Sequence, residues 1–382
     1  MTPLGSRTAH ATWGVLAAVA LAAAPALAQN ASAGRTMSND EMIRTETFVR
    51  PPDPISSAVL APRHLNVSVN NLSADRMWFI HEVGDGPVTM DVFAKPFHEL
   101  GGLFIDFRAN RNRNLTIRNS VSLQLVSATT GNKVTVQVPN GARVSNATWS
   151  PDGKSVAFFA HTLDATHIYV SDLNGKTTQV TRTPVLATLV TSFDWAGSGQ
   201  IATVLIRGQR AAMPVAAGVP QGPRVKLAEE SDKNRLRTYQ SLMATPHDQA
   251  LLEWHTTGQV ALIDVKTRTA KPIGQPTMVR DIAPSPDGKY LRVTRMVKPF
   301  SYVVPVNNFG SVQEIWDTDG KVLTKLQEDP LNLGVDTARA VAAPGALGAE
   351  PQGKRELTWR PDNQGLTYLE QEAPPRRDST RE

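Results

Sequence analysis

Val279-Arg280-Asp281-Ile282-Ala283-Pro284, then Ser285-Pro286-Asp287-Gly288-Lys289, then Tyr290-Leu291-Arg292-Val293-Thr294 is the stretch that decides the fold. Short runs of apolar and β-branched residues flank a five-residue turn. Within that turn Pro presets φ at the first corner, Asp bonds its local backbone, and Gly supplies the positive φ that closes the hairpin. Two extended segments joined this way are an antiparallel pair.

The same unit recurs outward from this point. Val144-Ser145-Asn146-Ala147-Thr148-Trp149 leads through Ser150-Pro151-Asp152-Gly153-Lys154 into Ser155-Val156-Ala157-Phe158-Phe159-Ala160. Leu357-Thr358-Trp359 leads through Arg360-Pro361-Asp362-Asn363 into Leu366-Thr367-Tyr368-Leu369, and Asp194-Trp195-Ala196-Gly197 is a degenerate copy before Ile201-Ala202-Thr203-Val204-Leu205. Each copy is followed by a second hairpin, turning at Asp172-Leu173-Asn174-Gly175, after Ile263-Asp264, or at Asp317-Thr318-Asp319-Gly320. Two hairpins make a four-stranded antiparallel sheet, and such sheets repeating every ~40–45 residues are the blades of a β-propeller. The expected fold is therefore all-β, with blades near 60–138, 144–182, 190–274 and 279–327. A fifth starts near 355 and contains only its first hairpin, giving about four and a half blades. Residues 207–240, with Pro214, Pro220, Gly222 and Pro223, read as an inserted loop. Trp149, Trp195, Trp316 and Trp359 recur with the period and are expected to pack between blades.

The N-terminus sets the compartment. Arg7 precedes an apolar run from Trp13 to Leu27 that ends in Ala26-Leu27-Ala28 before Gln29. Charged start, short apolar stretch and small-residue exit read as a signal peptide over 1–28, and hence a periplasmic or secreted protein. The run is shorter than the ~20 residues of a spanning helix, so no stable membrane insertion is expected after cleavage. Residues 29–54 read as a lead-in arm, 55–372 as the propeller and 373–382 as a polar tail. The chain contains no Cys, which excludes disulfides, thiolate metal sites and a Cys nucleophile. The net charge of +5 is dispersed, without the basic run interleaved with aromatics that a nucleic-acid partner would need. Arg108, Arg111, Arg113 and Arg118 form the densest basic patch, expected to be a solvated hairpin loop.

Some segments are more distinctive than the turns. Lys298-Pro299-Phe300-Ser301-Tyr302-Val303-Val304-Pro305, Thr245-Pro246-His247-Asp248, Arg237-Thr238-Tyr239-Gln240-Ser241-Leu242 and Gln313-Glu314-Ile315-Trp316-Asp317 resemble the glutamyl endopeptidases of the prolyl oligopeptidase clan, the S9 serine peptidases. The resemblance covers roughly residues 50–372. It implies the N-terminal propeller of a peptidase that cleaves after acidic residues, lying over an α/β-hydrolase domain that carries the Ser-Asp-His triad. That domain is expected to be absent from this chain, so no catalytic residue carries over. The partner implied is a peptide or protein substrate reaching the missing domain.

The residues themselves agree. A hydrolase nucleophile needs a Gly-x-Ser-x-Gly elbow, and Gly197-Ser198-Gly199 lacks that spacing. His161 and His167 flank Asp164 without a zinc-site spacing and are expected in a surface loop. His247-Asp248 is expected to pin a loop through backbone hydrogen bonds. No metal or cofactor site is expected. Phe300 and Tyr302 are the candidate substrate-facing residues. Two other readings stay open: a stand-alone periplasmic propeller that binds a protein or peptide, and a truncated remnant.

Overall fold

The computed structural model describes residues 52–60, 71–84, 88, 90–117, 120–216, 218, 239–333 and 354–370. All belong to the unit Pro51–Glu382. The signal segment, most of the lead-in arm, most of 207–240, Arg118 and the tail lie outside the described residues.

A short helix, α1 (Ile55–Leu60), comes first. The first blade begins with β1 (Trp78–Val83) and is then interrupted by an insert. The insert carries α2 (Met90–Phe93), β2 (His98–Leu100), β3 (Leu103–Asp106), β4 (Arg111–Asn112) and α3 (Asn114–Ile117). The blade resumes with β5 (Ser122–Ser127) and β6 (Lys133–Thr135). Strand order is β1-β5-β6, and a Leu72–Phe79 bridge supplies a vestigial inner strand. The second blade is uninterrupted: β7 (Arg143–Trp149), β8 (Ser155–His161), β9 (Thr166–Asp172) and β10 (Thr177–Gln179) pair in sequence order, antiparallel throughout.

The third blade has β11 (Asp194–Ala196), β12 (Gln200–Leu205), β13 (Thr257–Asp264) and β14 (Ala270–Pro272), with α4 (Pro246–Thr256) inserted before β13. The fourth has β15 (Thr277–Pro284), β16 (Tyr290–Met296), β17 (Ser311–Asp317) and β18 (Val322–Asp329). A short β13–β15 pairing, Thr257↔Met278 and Gly258↔Thr277, joins these two blades at one corner. Finally β19 (Arg355–Trp359) pairs with β20 (Leu366–Leu369) as the first hairpin of a fifth blade.

Three of the first-hairpin turns, in the first, second and fourth blades, share one hydrogen-bond pattern. In Ser150–Lys154 the Ser150 Oγ donates to Asp152 Oδ1 at 2.6 Å, the Ser155 amide donates to Ser150 Oγ at 3.0 Å, and the Lys154 amide donates to Asp152 Oδ1 at 3.2 Å. The same three bonds recur around Ser285 and Asp287. They recur again around Ser73 and Asp75, in a sequence lacking both Pro and Gly. There Arg76 takes the positive φ of 59° that Gly153 and Gly288 take elsewhere.

Packing follows the two-residue strand period. In β8, Val156, Phe158 and Ala160 face the first blade, where they meet Ile80, Leu123 and Leu125. Ala157 and Phe159 face the third, against Phe193, Ile201 and Ile263. In β13, Ala261 and Ile263 face the second blade, while Val260 and Leu262 face the fourth, against Val279, Leu291 and Val293. Strands buried on both faces read as continuous apolar runs. Each fully buried Phe or Leu here contributes roughly 1.5–3 kcal/mol relative to exposure.

Trp149 and Trp359 end first strands and Trp195 lies one residue before the end of its own, close to what the period implied. Trp316 differs: it lies on β17, a third strand, where its Nε1 donates to Glu314 Oε2 at 2.8 Å. The 207–240 insert is also larger than its polar stretch suggested, since it extends through α4 up to β13.

Candidate functional site

In the first, third and fourth blades the connection between second and third strands is expanded, to 84–121, 206–256 and 297–310. In a four-stranded meander these connections all emerge at one end of the ring. The three inserts meet there around a second core: Leu100 and Ile105 from the first, Met243, Leu251 and Leu252 from the second, and Val304, Val306 and Phe309 from the third. Backbone bonds stitch them together, Gly102 N–H to Ser241 O at 3.1 Å and Val306 N–H to Gly101 O at 2.8 Å. The result is a cap across one end of the blades.

Asp106 and Arg111 anchor the cap to the second blade. Arg111, 3% exposed, donates to Asp106 Oδ2 at 3.1 Å and to the carbonyls of Thr162 at 2.8 Å and Ala165 at 3.0 Å. Lys95 Nζ adds bonds to Asp106 Oδ2 at 2.7 Å and to Leu163 O at 2.9 Å. Burial lowers the Arg111 pKa, opposed by Asp106. The expected solvated patch is thus divided. Arg111 is buried, and Arg113 lies 4.0 Å over the Phe97 ring. Among the three described members, Arg108 matches the expectation, in an exposed ion pair with Asp164.

Helix α4 carries the site. Thr245-Pro246-His247-Asp248 is a capping box: Asp248 N–H donates to Thr245 Oγ1, and Asp248 Oδ2 accepts from the amides of Thr245 at 2.8 Å and Ala244 at 2.7 Å. Asp248 pins this segment as expected. Near the other end, Arg210 stacks 3.3 Å over the Trp254 ring and donates to Trp254 O at 2.6 Å and Asn110 Oδ1 at 2.5 Å. Burial, then Arg207, pushes Arg210 down to about 10.

Beside Trp254 lies a groove of about 550 Å³, lined by Arg207, Ala211, Pro214, Glu253, Trp254 and Met278, among others. Glu253 is held by Lys298 Nζ at 2.8 Å. Arg207 has no hydrogen-bond partner for its Nε and no carboxylate in ion-pair range among the described residues. The groove's lining is mixed, polar and apolar, with Glu253 neutralised by Lys298 and the Arg207 guanidinium without a carboxylate partner among the described residues, an arrangement that suits a negative charge. Sequence reading missed Arg207 because nothing local marks it; which described groups surround it is a tertiary fact.

Phe300 and Tyr302 sit half-buried against the cap core, Phe300 stacked on Phe309 at 5.5 Å. His161 is not in a surface loop. It is 2% exposed, between Ser145 Oγ at 2.8 Å and Thr166 Oγ1 at 3.0 Å, because the hairpin it ends is buried beneath the cap's Arg111. His167 is half-buried and bonds Thr181. Among the described residues no group of His, Asp and Glu is placed to hold a metal ion. None of the described helices is long and apolar enough to cross a membrane.

Four-stranded antiparallel blades, packed face to face and capped at one end by their inserts, define a β-propeller domain. The chain is related to the glutamyl endopeptidase-like peptidases of the S9 family, and it fits their N-terminal propeller region. It is 30% identical over 330 residues to a probable chloroplastic glutamyl endopeptidase of Oryza sativa subsp. japonica, covering 83% of this chain and 34% of that protein. It is 26% identical over 351 residues to the corresponding protein named in Arabidopsis thaliana, covering 89% of this chain and 35% of that one. The chain therefore spans about a third of the length of these relatives. The acylaminoacyl peptidase of Pyrococcus horikoshii aligns with a TM-score of 0.34 at 16% identity, over 55% of this chain and 28% of that one. No protein-family model matches.

Proposed function

We propose that this chain is the propeller portion of an exported serine peptidase, periplasmic or secreted, that screens peptides for acidic residues before they reach an α/β-hydrolase domain. The observation that carries the reading is Arg207, with no carboxylate partner among the described residues, in a groove shared with Trp254, Met278, Pro214, alanines, two threonines and a Glu253 held by Lys298. A Glu side chain entering that groove gains a charge-assisted bond worth about 1.5–3 kcal/mol. A Gln isostere loses most of it, and that difference is selectivity. The relatives' name, glutamyl endopeptidase, supports the same chemistry. Phe300 and Tyr302, in this reading, brace the cap wall that the peptide passes. The leader read over 1–28 supports export.

Reading the gene beyond codon 382 in all three frames tests the gating half of this proposal. A hydrolase region with a Gly-x-Ser-x-Gly elbow is expected. Its absence would overturn gating and leave a peptide-binding propeller.

A further inference from the structure

We propose that His98 and His255 form an acid-released latch, which holds the first blade's insert against α4 and lets the cap open as pH falls. His98 Nδ1 lies 3.0 Å from His255 Nε2. A nitrogen–nitrogen hydrogen bond needs one lone pair, so at least one ring must be neutral while the latch is shut. His98 is stacked on Phe107 at 4.6 Å. His255 is fully buried with Trp254 edge-on at 4.8 Å, and its backbone carbonyl accepts from Thr188 Oγ1 at 2.9 Å. The pair joins two elements far apart in sequence, a small hairpin sheet from the first blade and a helix from the third.

The charged and titratable groups around the pair offer it no counter-charge. From α4 comes His247, with Glu253 engaged by Lys298 and Asp248 by the helix cap. From the segment before α4 come Arg210 and, behind it, Arg207. From the first blade's insert come Arg113 and Glu99, the latter accepting from Ser241 Oγ at 2.6 Å. The second blade's exit segment presents the neutral Thr188. Among the described residues no carboxylate bonds either ring.

Burial, then His98 and Arg210, pushes His255 down from 6.5 to about 3. Burial, then His247, lowers His98 from the same value. Both rings are therefore held neutral in the closed cap, while freed rings titrate near 6.5. Opening takes up protons once pH drops below that value. Each histidine then shifts the equilibrium toward the open form by up to about tenfold per pH unit, until its closed-state pKa is reached. The other cap bonds, Arg210 to Asn110 and Arg111 to the Thr162 carbonyl, do not titrate in this window. The opening is thus local. It stands whether or not the Arg207 groove takes acidic peptides.

Hydrogen exchange of the full chain at pH 7.5 and 5.5, corrected for intrinsic rates, tests the latch. Protection of residues 98–106 and 246–256 is expected to fall by about tenfold or more, while 290–295 in the histidine-free fourth blade stays within about twofold. His98→Gln and His255→Gln should each flatten that pH dependence. Constant cap protection, an equal fall in the blade core, or an undiminished slope in folded variants would overturn the proposal. Should either variant not fold, the contrast between cap and blade in the native chain decides alone.

Discussion

Trp149 Nε1 donates to the backbone carbonyl of Asn71 at 2.9 Å, across the gap between the second blade and the first. Trp359 repeats the bond to Ala283 O at 2.7 Å, from the fifth blade to the fourth. A tryptophan ending one first strand thus satisfies a carbonyl on the neighbouring one. Trp149→Phe keeps most of the packing and removes one of two bonds to that carbonyl, which still accepts from the Ile80 amide at 3.1 Å, and is expected to cost about 0.5–1.5 kcal/mol. Trp149→Ala should cost about 3–5 kcal/mol. Denaturant unfolding checks the order; a Trp149→Phe variant as stable as the native chain would mean that the hydrogen bond contributes nothing.

Gly320 closes an outer turn at φ 85°, and a Cβ there would overlap the backbone of Gly274 in the preceding blade. Gly141 has a similar φ of 73° with open space around it. Gly141→Ala should therefore cost only the left-handed strain of about 1–2 kcal/mol. Gly320→Ala carries that strain plus a steric clash, and its loss should exceed that of Gly141→Ala by at least about 1 kcal/mol. Thermal melts of the two variants separate the effects.

Asp106 is shared by Arg111 and Lys95 in a nearly dry pocket. Asp106→Leu strands two cations, and is expected to cost about 3–5 kcal/mol. The double variant Asp106→Leu/Arg111→Met removes the larger burden and should recover part of that loss. A double variant no more stable than Asp106→Leu would show that the ion pair is not what burdens the single mutant.

His161 is held neutral at about 3, by burial first and Arg111 second. Its folded pKa is depressed below the ordinary 6.5, so its contribution is complete above 6.5 and is lost as pH falls from there toward 3. The slope is up to about 1.4 kcal/mol per pH unit. His161→Gln should flatten the stability–pH curve over this window, measured by denaturant titration at pH 7.5, 6.0 and 5.0. An unchanged slope would rule the assignment out.

The blades were legible because their turn chemistry is local. Ser285 and Asp287 sit two apart and bond the same few amides as Ser150 and Asp152 do in the second blade. The first blade's turn was hidden because Arg76 stands where glycine normally would; only the Ser73, Asp75 spacing signals it. The cap was not legible, because its inserts share no repeat and their core forms only when residues such as Leu100, Leu252 and Val306 converge. Helix α4 did carry a signal, in Thr245 and Asp248 ahead of Leu251 and Leu252. His161 was misplaced because a His beside an Asp in a short hairpin looks solvated until Arg111, 50 residues earlier, packs against it.

The central claim rests on Arg207 and is tested by peptide binding to the whole chain. Fluorescence anisotropy would compare labelled Ala-Ala-Glu-Ala-Ala-Ala with its Gln counterpart, against the native chain and Arg207→Gln. The account predicts that the Glu peptide binds about tenfold or more tightly than the Gln peptide to the native chain, and that Arg207→Gln abolishes the difference. Equal binding of the two peptides, or a preference that survives Arg207→Gln, would contradict it.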